Sequence, residues 1–176
     1  MSREVRRVPA GWEHPKGENG RYIPLWGRSY RADVWDWWKW RIIWALGFKP
    51  NYGKGFPVKW RELDEDWQQC TFEEYWGPGP RREDYMPDWP ASERTHWQMY
   101  EATSEGTPIS PVMDSPEILA RWLADNNTSA FGYSTATYDA WLATIQRGWA
   151  ISAVFDPRYG VMSGVEAMAQ DGGDQR

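Results

Sequence analysis

Cysteine and histidine are nearly absent from this 176-residue sequence: Cys70 stands alone, and His14 and His96 are the only histidines. One thiol closes no internal disulfide, and no Cys-x-x-Cys or paired histidine motif offers metal-type ligands, so neither a disulfide framework nor a structural metal is expected. Long apolar runs are missing as well. The most apolar stretch, residues 34–48, carries Asp36, Lys39 and Arg41, and at about 1.5 Å per residue it is too short to cross a bilayer. The first nine residues are charged and lack the apolar core of a secretion signal, which sets the expectation of a cytoplasmic protein with no membrane partner. There is no Gly-x-Ser-x-Gly elbow, and Gly53-Lys54-Gly55 lacks the spacing of a phosphate-binding loop. Nor is there an internal repeat of 20 to 50 residues, which excludes a solenoid.

What the chain has in excess is aromatic side chains: 15 Trp, 9 Tyr and 5 Phe, within a composition that is 41% hydrophobic and 26% charged. That is ample material for a packed core at this length. The charge is unevenly placed. Residues 1–60 hold 12 Lys and Arg against 5 Asp and Glu, a balance of +7, whereas residues 61–176 hold 8 against 20, a balance of −12, and the two add to the overall −5. Such a split means either a basic surface for an anionic partner or two halves of a fold that pair with each other, and pairing is the commoner outcome. Overall acidity argues against non-specific binding to duplex DNA, which needs a cationic excess.

Local signals place the elements. Residues 4–8 alternate modestly and stop at Pro9, as a short edge strand does. Residues 29–46 are expected to be helical, opened by Ser29 or Asp33 and closed by Gly47 and Pro50. On that helix apolar side chains cover well over half the circumference, too wide a stripe for packing on one side, so it is either buried between two layers or shows an aromatic face to a partner. Residues 49–58 read as a Gly/Pro loop. Thr71-Phe-Glu-Glu74 has capping-box spacing and opens a short helix ended by Gly77-Pro78-Gly79-Pro80, the place of a possible subdomain boundary near 77–80. A further helix is expected over 91–103, with Arg94, Trp97 and Glu101 at three- and four-residue spacing, and an extended loop over 106–111. Ser115, Pro116 and Glu117 start a helix that ends at Asn126-Asn127, and a second runs over 136–147 to Gly148. Residues 150–155 and 160–165 form a candidate hairpin. These elements make an α+β protein: one domain over residues 1–169, three to four helices with a small, mostly antiparallel sheet that includes the C-terminal hairpin, and a frayed tail at 170–176.

Candidate chemistry is sparse. Glu93 and His96 form half of a Glu-x-x-His pair with no second copy, which does not make a di-metal site. Acidic neighbours of Cys70, among them Asp64, Asp66 and Glu74, disfavour a thiolate nucleophile. No metal, no cofactor and no catalytic residue is therefore assigned, and an enzyme is not expected. The mixture that does point to function is Arg28, Arg31, Lys39 and Arg41 interleaved with Trp26, Tyr30, Trp35, Trp37, Trp38, Trp40 and Trp44, the combination that stacks on bases and neutralises phosphates, and that is also enriched at protein interfaces. For a nucleotide-like ligand the candidate residues are Trp37, Trp40 and Arg41 for stacking and charge, with Thr107 and Ser110 as hydrogen-bond donors.

Three stretches carry a resemblance: Arg3-Glu-Val-Arg-Arg-Val-Pro-Ala-Gly-Trp-Glu-His-Pro15, then Tyr85-Met-Pro-Asp-Trp-Pro-Ala-Ser-Glu-Arg-Thr-His-Trp-Gln-Met-Tyr-Glu101 with Thr103-Ser-Glu-Gly-Thr-Pro-Ile-Ser-Pro-Val112, and Ser115-Pro-Glu-Ile-Leu-Ala-Arg-Trp-Leu-Ala-Asp-Asn126. The sequence resembles a family of small phage and prophage proteins over about two thirds of its length, with residues 30–76 matching less well. The resemblance implies a viral setting and supplies no mechanism. Together with the composition it frames two expectations: a non-catalytic accessory protein in the host cytoplasm that binds a host protein or a small anionic, nucleotide-like ligand to counteract host defence, or alternatively a structural or assembly protein of the phage particle.

Overall fold

A computed structural model of the protein describes residues 2–49, 58–59, 70–102, 106–157 and 160–171. In chain order the elements are β1 (Arg3–Val8), α1 (Tyr30–Ala45), β2 (Phe48–Lys49), β3 (Val58–Lys59), α2 (Phe72–Trp76), β4 (His96–Glu101), β5 (Thr107–Pro108), α3 (Pro116–Asp125), α4 (Tyr138–Arg147), β6 (Trp149–Ala150), β7 (Ala153–Asp156), β8 (Gly160–Ser163) and α5 (Gly164–Asp171), with a 3-10 turn at Arg82–Asp84. The fold is α+β, as the sequence implies, and divides into two units. The first comprises Met1–Gly27 with Met86–Arg176 and the second Arg28–Tyr85, so the expected boundary near 77–80 falls inside the second unit.

The first unit is built on a sheet of order β5-β4-β1-β6. β1 and β4 run antiparallel over their full length, from Arg3 opposite Glu101 to Val8 opposite His96. Alternation along these strands sorts the side chains onto two faces. Val5, Trp97 and Met99 join Leu119, Leu123, Ala140, Trp141 and Ile145 of α3 and α4 in the main core. Arg6, Gln98 and Tyr100 point to the other face, which the segment carrying Trp12, His14 and Leu25 covers. Local caps behave as their residues dictate. Ser115 accepts from the Ile118 N–H, Thr137 accepts from Ala140 N–H, Asn127 holds φ 48° past the end of α3, and Gly148 closes α4 in the left-handed region at φ 98°. No helix among the described residues is long and apolar enough to cross a membrane.

In the second unit Ser29 caps α1, and the capping box of Thr71 and Glu74 opens α2. Trp44 and Phe72 are the buried centre, with Trp37, Trp40, Tyr75 and Trp76 packed against them. β2 and β3 form a two-residue ladder at the ends of the expected Gly/Pro loop, whose residues 50–57 lie outside the described residues, as do Asp64 and Asp66.

Four expectations are corrected. Residues 91–103 are not a helix: 91–93 form a turn and His96–Glu101 is β4, an inner strand of the sheet. Its three- and four-residue spacings are incidental, because each flank of β4 finds a strand to pair with and its Trp, Tyr and Met suit a pleated surface. β1 is not an edge strand, since β6 pairs with it on the side away from β4. The strand expected over 150–155 is broken at Ile151 and Ser152: β6 belongs to the main sheet, while β7 pairs with β8 as the C-terminal hairpin, a ladder of its own. α5 follows directly, with Ser163 accepting from the Glu166 N–H, so Gln170 and Asp171 are helical and not frayed. The rest of that tail is outside the described residues.

Among the described residues, Arg3–Glu101 and Arg41–Glu73 join the basic stretch 1–60 to the acidic remainder, whereas Arg6, Arg28 and Lys39 pair with carboxylates of the basic stretch itself. Arg3, only 2% exposed, faces Glu101 at 3.7 Å and donates to the Ser129 carbonyl at 2.8 and 3.0 Å. Arg6 pairs with Glu4, Arg28 with Asp33, Lys39 with Asp36 and Arg41 with Glu73.

Candidate functional site

The most developed site lies in the first unit, between the segment after β1, the Gln98 face of β4, the residues after β5 and Trp122 of α3. It is an open groove of about 920 Å³ lined by Trp12, His14, Pro15, Lys16, Tyr22, Gln98, Ile109, Ser110, Pro111 and Trp122, among others. β4 supplies the floor, because Gln98 and Tyr100 stand two residues apart and emerge on one face. The loop after β1 supplies one wall. It is held by the Lys16–Tyr22 bridge and by the Ile23 N–H donating to the Pro15 carbonyl at 3.0 Å.

A single hydroxyl organises the floor. The Tyr100 oxygen accepts from Trp12 Nε1–H at 3.1 Å, meets His14 Nδ1 at 3.2 Å and donates to Gln98 Oε1 at 2.9 Å. Gln98 is fixed in turn by its Nε2 donating to the Ser110 carbonyl at 2.9 Å. The Arg6 guanidinium lies 4.1 Å over the Tyr100 ring and donates to the Leu25 carbonyl at 2.9 Å. Burial pushes the Tyr100 phenol up to about 12, so its proton stays in place at ordinary pH.

The partner of His14 Nε2 is the Ile23 carbonyl at 2.7 Å, which requires a proton on Nε2. Burial lowers the His14 pKa, the Ile23 carbonyl opposes that, and the nearby Arg6 charge adds to it. A neutral imidazole with Nε2 protonated presents Nδ1 as an acceptor. One Tyr100 proton therefore faces two acceptors, His14 Nδ1 and Gln98 Oε1. The floor is one proton short, and when the Tyr100 proton serves Gln98 the His14 Nδ1 keeps an unprotonated lone pair beside the same hydroxyl.

The rim is aromatic. The Trp12 ring packs edge-on against Trp89 with centroids 4.7 Å apart, and Tyr22 packs edge-on against His14 at 5.4 Å. The Lys16 ammonium lies 5.1 Å from the Tyr22 ring and has no carboxylate partner among the described residues. Beyond Trp122 a smaller groove of about 440 Å³ runs along α3, lined by Met113, Ile118, Arg121 and Tyr138.

The residues singled out from sequence fall in both units. Ser110 is buried in the wall of the groove, where its Oγ accepts from the Met99 N–H and donates to the Pro111 carbonyl, each at 2.9 Å. Thr107 is in β5 opposite Glu101. Trp37, Trp40 and Arg41 belong to the second unit. Trp37 Nε1–H donates to the Gly77 carbonyl at 3.3 Å and its ring meets Phe72 edge-on at 5.3 Å, Trp40 lies against Trp76 at 6.1 Å, and Arg41 bridges to Glu73 at 3.2 Å. His96 pairs with the exposed Asp114 at 3.1 Å, and no group of three His, Cys, Asp or Glu able to hold a metal occurs among the described residues. Sequence reasoning passed over His14, Tyr100 and Gln98. The available signal was the Gln98-x-Tyr100 alternation, legible only once 96–101 is taken as a strand. No family model, curated protein or solved structure matches this chain, so the chemistry of the site stands without a relative to interpret it.

Proposed function

We propose that the protein is a non-catalytic binding protein, a phage or prophage accessory factor as its resemblance implies, which takes a small nucleotide-like ligand in the groove of the first unit. The composition of the groove carries this reading. Trp12, Tyr22 and Trp122 offer ring surface for a base, at about 1–3 kcal/mol per stacked base, and Lys16 is the lining cation that would meet a phosphate, in a groove whose lining also includes the Glu13 carboxylate. The volume suits a ligand of that size, since small-molecule sites span about 300–1,000 Å³. The groove is a better place for the ligand than the Trp37, Trp40 and Arg41 face, whose rings and guanidinium are engaged by Phe72, Trp76 and Glu73. Sequestering a signalling nucleotide in an infected cell would blunt a host defence that depends on it.

The test is thermal stabilisation against a panel of cyclic di- and trinucleotides, ADP-ribose derivatives and short single strands. A ligand at 100 times its dissociation constant stabilises by about 2.7 kcal/mol, which raises the midpoint by about 5–11 °C for a chain of this length. Lys16→Glu and Tyr22→Ala, both at exposed positions, are expected to abolish that shift while leaving the unliganded midpoint within about 2 °C. A flat response across the panel overturns the nucleotide reading and leaves a host protein or the phage particle as the partner.

A further inference from the structure

From the outer face of α1 we infer that the second unit pairs with a second copy of this chain, helix against helix in antiparallel register. α1 has two apolar faces. At about 100° per residue Trp37, Trp40 and Trp44 fall on one side, which α2 covers. Trp35, Trp38, Ile42 and Leu46 fall on another, about 160° away by the same geometry. These four are 72, 50, 59 and 70% exposed. The spacing i, i+3, i+7, i+11 is a continuous stripe of the kind that helices use to pack on one another.

A second copy is the occupant that the stripe itself fits. A two-fold contact requires a self-complementary patch, in which residue i meets j and j meets i. Running the stripe antiparallel to itself sets Trp35 opposite Leu46 and Trp38 opposite Ile42, so that each indole meets an aliphatic side chain and no indole meets its own copy. The charges beside the seam do not oppose this arrangement, because Lys39 is paired with Asp36 at 2.7 Å and Arg41, whose guanidinium lies 5.1 Å from the Trp38 ring, with Glu73 at 3.2 Å. The area is sufficient for a weak dimer. With about 150–250 Å² per large aromatic side chain, the four exposed residues offer about 500 Å² per copy. Two copies then bury about 1,000 Å², the lower end of specific interfaces. An interface of that size belongs to the weak, transient class, a reversible dimer and not an obligate one. The inference is independent of the groove, which lies in the other unit.

Sedimentation velocity on the full chain from about 1 to 200 µM is expected to show a monomer–dimer equilibrium. Ile42→Glu and Trp38→Ser are each expected to raise the dissociation constant tenfold or more. Circular dichroism should stay unchanged for Ile42→Glu, the cleaner variant, because Trp38 also packs on Trp37 at 5.3 Å and against the Arg41 guanidinium at 5.1 Å. In a Cys70→Ser background, a mixture of Trp35→Cys and Leu46→Cys chains is expected to give the mixed disulfide faster than either chain alone. A monomer at every concentration overturns the inference and means that the stripe is covered within the chain or by another protein. A dimer that both variants leave intact, or faster self-linking of Trp35→Cys, overturns the interface or its register.

Discussion

Replacing Tyr100 by Phe removes one oxygen from the centre of the groove floor and leaves the ring under Arg6 in place. Three partners lose that oxygen at once. Trp12 is partly exposed, so its Nε1–H can turn to water at the cost of an ordinary hydrogen bond, about 0.5–1.5 kcal/mol. Gln98 is 5% exposed and its amide is pinned by the Ser110 carbonyl, so Oε1 cannot rotate to another donor and is orphaned, at about 1–3 kcal/mol. His14 Nδ1 loses little, because the single Tyr100 proton already serves Gln98. The expected loss is about 3 kcal/mol, a fall of about 6–12 °C in the midpoint. Thermal and urea denaturation of Tyr100→Phe beside the wild type measure it. Tyr133→Phe serves as the control, because Tyr133 is fully exposed and its hydroxyl has nothing to lose. A fall of less than about 2 °C, or one matched by the control, would refute the hydroxyl as the organising atom of the floor.

Acid should weaken the first unit through His14. The unfolded chain takes up this proton near the ordinary value of about 6.5 and the folded one only at lower pH, so the stability present above that value declines as pH falls below it. Midpoints between pH 7.5 and 5.5 check this, with His14→Gln expected to flatten the dependence, and a rise in stability on acidification would contradict it. Gly106 sits at φ +59°, and a Cβ there would collide with the Leu25 carbonyl oxygen, a backbone atom held by its own bond from Arg6. Gly106→Ala is therefore expected to cost about 2 kcal/mol or more, read as a lowered urea midpoint with an unchanged slope.

The helices were legible because their signals are local. Ser29, Thr71, Ser115 and Thr137 each accept a hydrogen bond from the third residue of the helix that follows, and Gly148 adopts the left-handed turn that closes α4. α5 carried the same kind of signal in Ser163 and Glu166. It was hidden because residues 163–165 read as the end of a strand, and the Glu166 carboxylate accepts from the distant Thr137 N–H at 2.7 Å. The groove was only partly legible. Ser110 was singled out from sequence as a donor to ligand and does line the groove, but its hydroxyl is engaged by Met99 and Pro111.

The sequence by itself determined the α+β class, the caps and ends of the main helices and the excess of apolar surface on α1, because each depends on residues within a few positions of one another. Only the tertiary structure decided that 96–101 is a strand, since a six-residue segment satisfies its backbone groups as strand or as helix until a partner is present. That partner, β1, lies some 90 residues away in the chain and brings Arg6 opposite Gln98. From this one pairing follow the burial of Arg3 against Glu101, the facing of Tyr100 toward His14, and a groove floor that no local pattern encodes.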